Sequence, residues 1–287
     1  MRARSRSAGF SLIELVITLV ISTIVVSFVS MFISGPVQGF MDQSRRARLV
    51  DAADAAVQRF RREVRRALPN SVRTTSSGGV VALELLGTID GSRYRAQPPG
   101  GAPAILDLAG PDGSFDVLGP FTQVAKPFSS TSAYLAIYNV GVAGADAYEL
   151  ANVITPPGTR IDIAAGAAPG EDRVTLSPAF RFAYGSPTQR VYLVDGPVTY
   201  LCDPVGGTLT RYQGYSIAAN QAARDSNAEL LGAGATASLM ANQLSACAVT
   251  YTAGTAERAG LVSLEVTVSS QGETVSLLSQ AHVDNVP

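Results

Sequence analysis

Hydrophobic and polar positions follow three patterns along this chain. From Phe10 to Ile33 the positions are mostly apolar, and this run of 24 residues would be about 36 Å long as a helix. That length is enough to cross a bilayer core of about 30 Å. From Leu49 to Leu68 apolar residues recur at steps of three and four, as on one face of a helix. Beyond Thr74 short alternating runs predict strands.

The first two patterns together predict one long helix over about residues 10 to 67. Leu68-Pro69-Asn70 ends it, because proline disfavours a helical conformation at the residue before it. Gly35-Pro36 lies just beyond the apolar run, and Pro36 removes a helical donor. We expect a kink or a local melt there. It is either a simple bend at the membrane exit or a compliant joint that helps the helix adapt within an assembly.

The third pattern predicts a β-rich region with antiparallel pairing, so the fold class is α+β: a long N-terminal membrane-spanning helix packed against an antiparallel sheet domain. Val198–Cys202 with Thr208–Tyr212 is one predicted hairpin, and Leu261–Ser269 with Glu273–His282 is the second. The other predicted strands are Val80–Leu86, Ala133–Val140, Arg173–Leu176, Arg190–Val194 and Ala246–Tyr251. Gln97–Ala104 is predicted to be a surface loop or a boundary between subdomains, and residues 217–245 to hold short helices.

Charge divides the chain into a basic and an acidic part. Residues 1–73 hold 12 Arg and 5 acidic residues, a net charge of +7, whereas residues 74–287 hold 9 Arg, 1 Lys and 18 acidic residues, a net charge of -8. The arginines of this basic part could form a solvated helix face, or they could contact lipid headgroups or acidic surfaces of neighbouring subunits. No aromatic platform accompanies the arginines, so we expect no nucleic acid partner.

The start of the chain carries the most specific motif. Arg2, Arg4 and Arg6 precede small residues, and then come Gly9, Phe10 and an acid, Glu14, inside the apolar run. An unpaired carboxylate at that depth costs a few kcal/mol in lipid, so it needs a reason. A plain single-pass anchor with a chance acid is the simpler alternative.

The Gly-Phe-Ser-Leu-Ile-Glu-Leu string resembles the processing site of type IV prepilins and type II secretion pseudopilins. The resemblance implies that a prepilin peptidase/N-methyltransferase cleaves after Gly9 and methylates the new amino group of Phe10. It also implies that Glu14 neutralises such an amine on an adjacent subunit during assembly with other major and minor pilins. The protein would be single-pass in the inner membrane with a periplasmic C-terminal domain, and would later be in a pilus or at the cell surface.

The implied organisation has four parts: a basic leader peptide at 1–9, a transmembrane and assembly helix at 10–33, its amphipathic continuation at 34–68, and a periplasmic β-rich domain at 69–287 that could hold two subdomains. Residues 34–72, Arg258-Ala-Gly-Leu-Val and His282–Pro287 resemble the minor pilins of mannose-sensitive haemagglutinin (MSHA) pili. That resemblance implies a role in initiating or capping a pilus. A type II secretion minor pseudopilin is the alternative, and a filament-tip adhesin or substrate-binding module is an alternative of another class. The segment 90–190 carries no such likeness.

Two cysteines, Cys202 and Cys247, fit one disulfide in an oxidising compartment, and two free thiols are the alternative. Catalysis has little support, because His282 is the only histidine and no phosphate-binding or Cys/His metal motif is present. We therefore expect no enzyme, no cofactor and no metal. Asp107, Asp112 and Asp116 could line a calcium loop, but ordinary Asx turns are the better interpretation.

Overall fold

The computed structural model describes residues 9–97, 104–255 and 258–284. The leader up to residue 8, residues 98–103 of the expected loop and residues 285–287 of the terminal stretch lie outside them. The chain divides into two compact units, with the boundary between Leu49 and Val50. Helix α1, Leu12–Arg65, contributes to both units.

The first unit consists of the N-terminal part of α1. This helix has 54 residues in all, about 81 Å at 1.5 Å per residue. Among the described residues it alone is long and apolar enough to cross a membrane. It continues through Gly35 and contains Pro36, so the local melt expected there is not observed. Pro36 removes one backbone N–H donor, and the helix can continue because its other hydrogen bonds adjust locally around the proline. A role of this position as a joint stays a prediction.

The second unit begins with the C-terminal part of α1, whose apolar stripe is buried. Its buried members are Ala53, Ala56, Val57, Phe60 and Val64. The ring of Phe60 meets that of Tyr200 edge-on, with 4.9 Å between centroids. The amphipathic helix therefore packs against a sheet of its own unit, as its periodicity indicates.

Thirteen strands lie in the described part of the second unit, in three sheets. Their bounds are β1 Arg73–Ser77, β2 Val80–Arg93, β3 Asp112–Val117, β4 Phe128–Ser130, β5 Tyr134–Ala136, β6 Arg160–Ala165, β7 Asp172–Phe180, β8 Arg190–Asp203, β9 Thr208–Gln213, β10 Thr236–Asn242, β11 Leu244–Thr252, β12 Gly260–Ser270 and β13 Glu273–Val283. A six-stranded sheet has the order β1-β2-β8-β9-β10, with β5 also paired to β8; the others have the orders β11-β12-β13 and β3-β7-β6-β4. All of the pairings between these strands are antiparallel.

The α+β fold class is confirmed, and so are both hairpins, β8-β9 and β12-β13. The two strands predicted at 190–194 and 198–202 are one strand, β8, because a bulge at Asp195 interrupts the alternation without ending the strand. The region 217–245 holds a 3-10 turn at Gln221–Ala223 and helix α2, Asn227–Gly232, but also strand β10.

The segment without recognisable likeness, 90–190, holds the four-stranded sheet and its own core. Apolar side chains of this sheet pack against the N-terminal half of β8 and against the segments that join the strands. The buried residues of this cluster include Phe115, Phe121, Ile161, Ile163, Val174, Phe182, Val191 and Leu193. The boundaries proposed from the sequence for the leader, the helix segments and the domain stay predictions.

Candidate functional site

The first turn of α1 is capped by Ser11. The Ser11 carbonyl oxygen accepts hydrogen bonds from the backbone N–H groups of Glu14 and Leu15, both at 3.1 Å, and its Oγ accepts from the Glu14 N–H at 3.2 Å. Ser11 and Glu14 thus have the spacing and residue types of a capping box, of which the serine half is formed. The helix begins at Leu12, two residues after Phe10.

Glu14 is the only acidic residue in the first turn of α1, and its side chain is exposed. The N-terminus of a helix carries about half a positive charge, so a carboxylate is favourable there. If the chain is cut after Gly9, the new amino group on Phe10 lies one helical turn from this carboxylate. The geometry is suited to binding a positive group, either the chain's own or that of a neighbour.

Three hydroxyl side chains inside the apolar run donate to carbonyl groups of the preceding helical turn. The hydroxyl of Thr18 donates to the Leu15 carbonyl at 2.9 Å, and that of Ser27 donates to the Thr23 carbonyl at 2.8 Å. The hydroxyl of Thr23 donates in the same way to Leu19. Glu14 therefore remains the one ionisable side chain of the run, and its large apolar neighbours are exposed, as a lipid-facing or helix-packing surface requires.

Comparison with known proteins identifies this segment. The family model of the prokaryotic N-terminal methylation motif matches residues 4–30, which include Gly9, Phe10 and Glu14. The chain carries a type IV pilin-like N-terminus. Comparison with curated proteins and with solved structures gives no significant match. The motif and the apolar helix fit membrane anchoring with a C-terminal globular domain, and the motif is the type that a prepilin peptidase processes.

The disulfide expected from the cysteine count is present. Cys202 on β8 is bonded to Cys247 on β11, with 6.4 Å between the Cα atoms, and no free cysteine remains among the described residues. The bond joins the six-stranded sheet to the three-stranded sheet. The disulfide therefore links the three-stranded sheet, β11-β12-β13, to the six-stranded sheet that packs on α1.

Two polar networks that the sequence did not reveal hold the second unit together. In the first, Glu63 on α1 accepts hydrogen bonds at Oε2 from Arg211 at 2.7 Å and from the hydroxyl of Tyr200 at 2.9 Å. The arginine side chain is 7% exposed. Burial, reinforced by the nearby carboxylate, raises the pKa of Tyr200 well above its usual range, so its hydroxyl stays a donor.

The second network surrounds a fully buried carboxylate, Glu84 on β2. Arg73 donates to it at 2.8 Å, and the hydroxyl of Tyr215 donates at 3.0 Å. The same guanidinium also donates to the carbonyls of Ala218 and Ala219 at 2.7 Å each. Burial raises the pKa of Glu84 although Arg73 opposes the shift. The network anchors the segment after β9 to β1 and β2.

The remaining sequence candidates have ordinary structural surroundings. His282 is exposed on β13, opposite Leu261. Asp107 and Asp112 form Asx turns, accepting from the N–H groups of Ala109 at 2.7 Å and of Ser114 at 2.9 Å. Asp116 is paired with a guanidinium: it accepts from Arg173 at 2.7 and 2.9 Å, and these hydrogen bonds lower its pKa. The three aspartates thus bind protein groups, and the described residues include no cluster of three metal-ligating side chains.

Proposed function

We propose that this chain is a minor pilin of an MSHA-like type IV pilus, similar to the minor pilin MshO, and that it helps to initiate or cap pilus assembly. The observation that carries the proposal is the methylation motif at residues 4–30, whose residues from Leu12 onward form the start of a 54-residue helix that is followed by an antiparallel sheet domain. The likeness of residues 34–72, 258–262 and 282–287 to MSHA minor pilins supports the narrower assignment.

In this proposal a prepilin peptidase cleaves after Gly9 and methylates the amino group of Phe10. The protein first spans the inner membrane with its β-rich domain in the periplasm. It then leaves the membrane as its apolar helix packs among the helices of other major and minor pilins. The exposed apolar side chains between Phe10 and Ile33 are already out of water in the lipid, so their close packing against neighbouring helices drives this step.

The proposal gives Glu14 a role in assembly rather than in processing. Its carboxylate pairs with the methylated amine of an adjacent subunit and so sets the register between helices. The exposed position of Glu14 at the start of α1 supports this role, because the carboxylate has no partner within the described chain beyond the helix end itself. A type II secretion minor pseudopilin would use the same residues, and the neighbouring genes distinguish the two systems.

The test is mass spectrometry of the mature N-terminus in cells with and without the prepilin peptidase. We expect a chain that begins with N-methyl-Phe10 in the first cells and the full leader in the second. Gly9→Val should leave the leader attached in both. A chain cut elsewhere, or left uncut in cells with the peptidase, would reject the proposal.

Incorporation into filaments is measured separately on sheared pili. Glu14→Ala should be cleaved and methylated normally but should be absent from the filament fraction. Glu265→Ala is the matched control, because Glu265 is an exposed acid on the C-terminal sheet and should not affect either step. Normal incorporation of Glu14→Ala would refute the assembly role of this carboxylate while leaving the processing result intact.

A further inference from the structure

Two sheets of the second unit end in strands that have a neighbouring strand on one side only. β1 is the first strand of the six-stranded sheet and pairs with β2, and β11 is the first strand of the three-stranded sheet and pairs with β12. The second edge of each strand pairs with no other strand of the described chain. β1 and β11 approach each other, but they do not pair, so both edges stay open.

A groove with a volume of about 400 Å³ separates the two strands. Its walls are residues 74–76 of β1 with Val81 of β2 on one side, and residues 247–249 of β11 on the other. Successive side chains of a strand point to opposite faces of its sheet, so a groove that meets three residues in a row runs along the edge of the strand rather than over one face. The groove therefore lies between the open edges of β1 and β11.

The two walls of the groove are connected to each other at the groove itself. Cys247 is joined to Cys202 by the disulfide. Cys202 lies opposite Val81 in the pairing of β8 with β2, and Val81 lies opposite Ser76 in the pairing of β2 with β1. The distance between the walls is therefore set before anything binds, and binding there needs little reorganisation of the fold.

The edge of β11 lacks the features that protect open strands in other proteins. Protected edges carry charged residues or proline, are very short, or are bulged. β11, Leu244–Thr252, has nine residues without a charged residue or a proline, and its register shift, between Leu244 and Ala246, precedes the groove. The residues that follow include valine, threonine and tyrosine, which are favoured in strands. β11 is therefore suited to pairing with a further strand.

From this arrangement we propose that the groove binds an extended, uncharged segment of a partner protein, which adds to the three-stranded sheet as a further strand beside β11. An open edge presents a row of unpaired N–H and C=O groups, and the backbone of another extended chain provides the matching row. Three residues of wall correspond to about 10 Å of strand, so the groove accommodates about three residues of the partner.

The lining of the groove defines the chemistry of this partner segment. None of the described lining residues is charged, so charged side chains of a partner would lose water there without gaining an ion pair. Because β1 forms the opposite wall, the groove takes a single strand rather than the edge of another whole sheet. The proposal does not depend on which filament the protein joins.

The test selects peptides from a phage-displayed library of random heptapeptides on the full chain in detergent. We expect enriched peptides that are rich in β-branched residues and poor in proline and in charged residues. Hydrogen exchange followed by mass spectrometry then locates a synthetic copy of the most enriched peptide. It should slow exchange over residues 245–252 of β11 and leave residues 273–283 of β13, the other open edge of the same sheet, unchanged. The absence of any enriched peptide, enrichment of proline-rich or charged peptides, or slowed exchange in β13 instead of β11 would overturn the proposal.

Variants of the two walls test the same site. Ser76→Trp fills the groove from β1, and Ala248→Lys places a charge at the edge of β11; both residues are exposed and line the groove. Each variant should bind the synthetic peptide about 10-fold more weakly or worse, as expected when two or more main-chain hydrogen bonds are lost. Ser276→Trp is the matched control, because it makes the same substitution at an exposed position of β13, and it should bind as the wild type does. Near-ultraviolet circular dichroism checks that each variant is folded. Unchanged binding by either folded groove variant, or an equal loss in Ser276→Trp, would overturn the proposal.

Discussion

The contact between Phe60 and Tyr200 makes a quantitative test of how the helix is held on the sheet. Phe60 is 1% exposed, and its ring lies edge-on to Tyr200 at an interplanar angle of 83°. Truncation of a buried phenylalanine to alanine costs about 3–5 kcal/mol, from lost burial and from the cavity that remains. About 0.5–1.5 kcal/mol of this should be coupling between the two rings.

The expected result for Phe60→Ala is a fall in melting temperature of about 6–20 °C, since 1 kcal/mol corresponds to about 2–4 °C for a unit of this size. The chain has no tryptophan and ten tyrosines, so near-ultraviolet circular dichroism and tyrosine fluorescence report the packing of the full chain in detergent. These signals are preferable to far-ultraviolet signals because detergent keeps the apolar part of α1 helical.

Arg62→Ala is the matched control on the exposed side of the same helix, where substitutions change stability by about 0.5 kcal/mol or less. The double variant of Phe60 and Tyr200 to alanine completes a cycle that isolates the ring coupling. A loss below about 1 kcal/mol in Phe60→Ala, or a loss in Arg62→Ala as large as in Phe60→Ala, would refute the reasoning that the buried stripe holds the helix on the sheet.

Three further predictions concern the second unit. Replacement of Cys202 and Cys247 by serine should lower the free energy of unfolding by roughly 4 kcal/mol in the chain-entropy model, given their separation of 45 residues, as urea titration would measure. Gly141→Ala should destabilise more than Gly119→Ala: both glycines have positive φ, but only at Gly141 would the added Cβ meet a backbone oxygen, at 2.9 Å. The pKa of Asp116 is lower in the folded chain than the ordinary value of 3.8, so its ionised carboxylate stabilises the fold above about pH 3.8. The free energy of unfolding of the wild type should therefore fall as the pH drops below that value and the carboxylate is protonated, and Asp116→Asn should lack this part of the pH dependence.

The parts of the fold that the sequence predicted correctly are those with strong periodicity. The N-terminal part of α1 lies in a mostly apolar run of 24 residues, and its C-terminal part and the β12-β13 hairpin each bury one face, so their patterns repeat several times. Strand β1, Arg73–Ser77, contains no apolar residue and exists because its backbone pairs with β2. Strands β4 and β5 have three residues each, too few for any pattern to repeat.

The buried charges and the bulge of β8 could not be predicted for a different reason: they involve residues that are far apart in the chain. Glu63 meets Arg211 across 148 positions, and on sequence alone Glu63 is one of many charges on a basic helix. Asp195 was inside a segment between two predicted strands, and its exposure depends on a bulge that only the pairing with β2 reveals. A local hydrophobic pattern identifies helices and strands. The buried ion pair and the bulge depend instead on which strands lie next to each other in the sheet.

Glu14 combines a local and an intermolecular electrostatic role, and a single substitution separates them. Glutamine at this position can still take part in a capping box. It lacks the negative charge of Glu14, which interacts favourably with the positive end of the helix dipole and with a positively charged amine. If capping of the helix by Ser11 and residue 14 were sufficient, Glu14→Gln would be incorporated into filaments as the wild type is. We expect Glu14→Gln to fail as Glu14→Ala does, because the amine that cleavage creates on Phe10 adds a full positive charge where the helix already has about half of one. Recovery of Glu14→Gln in sheared filaments at the wild-type level would show that the helix cap, not the charge pair, is what assembly requires of this residue.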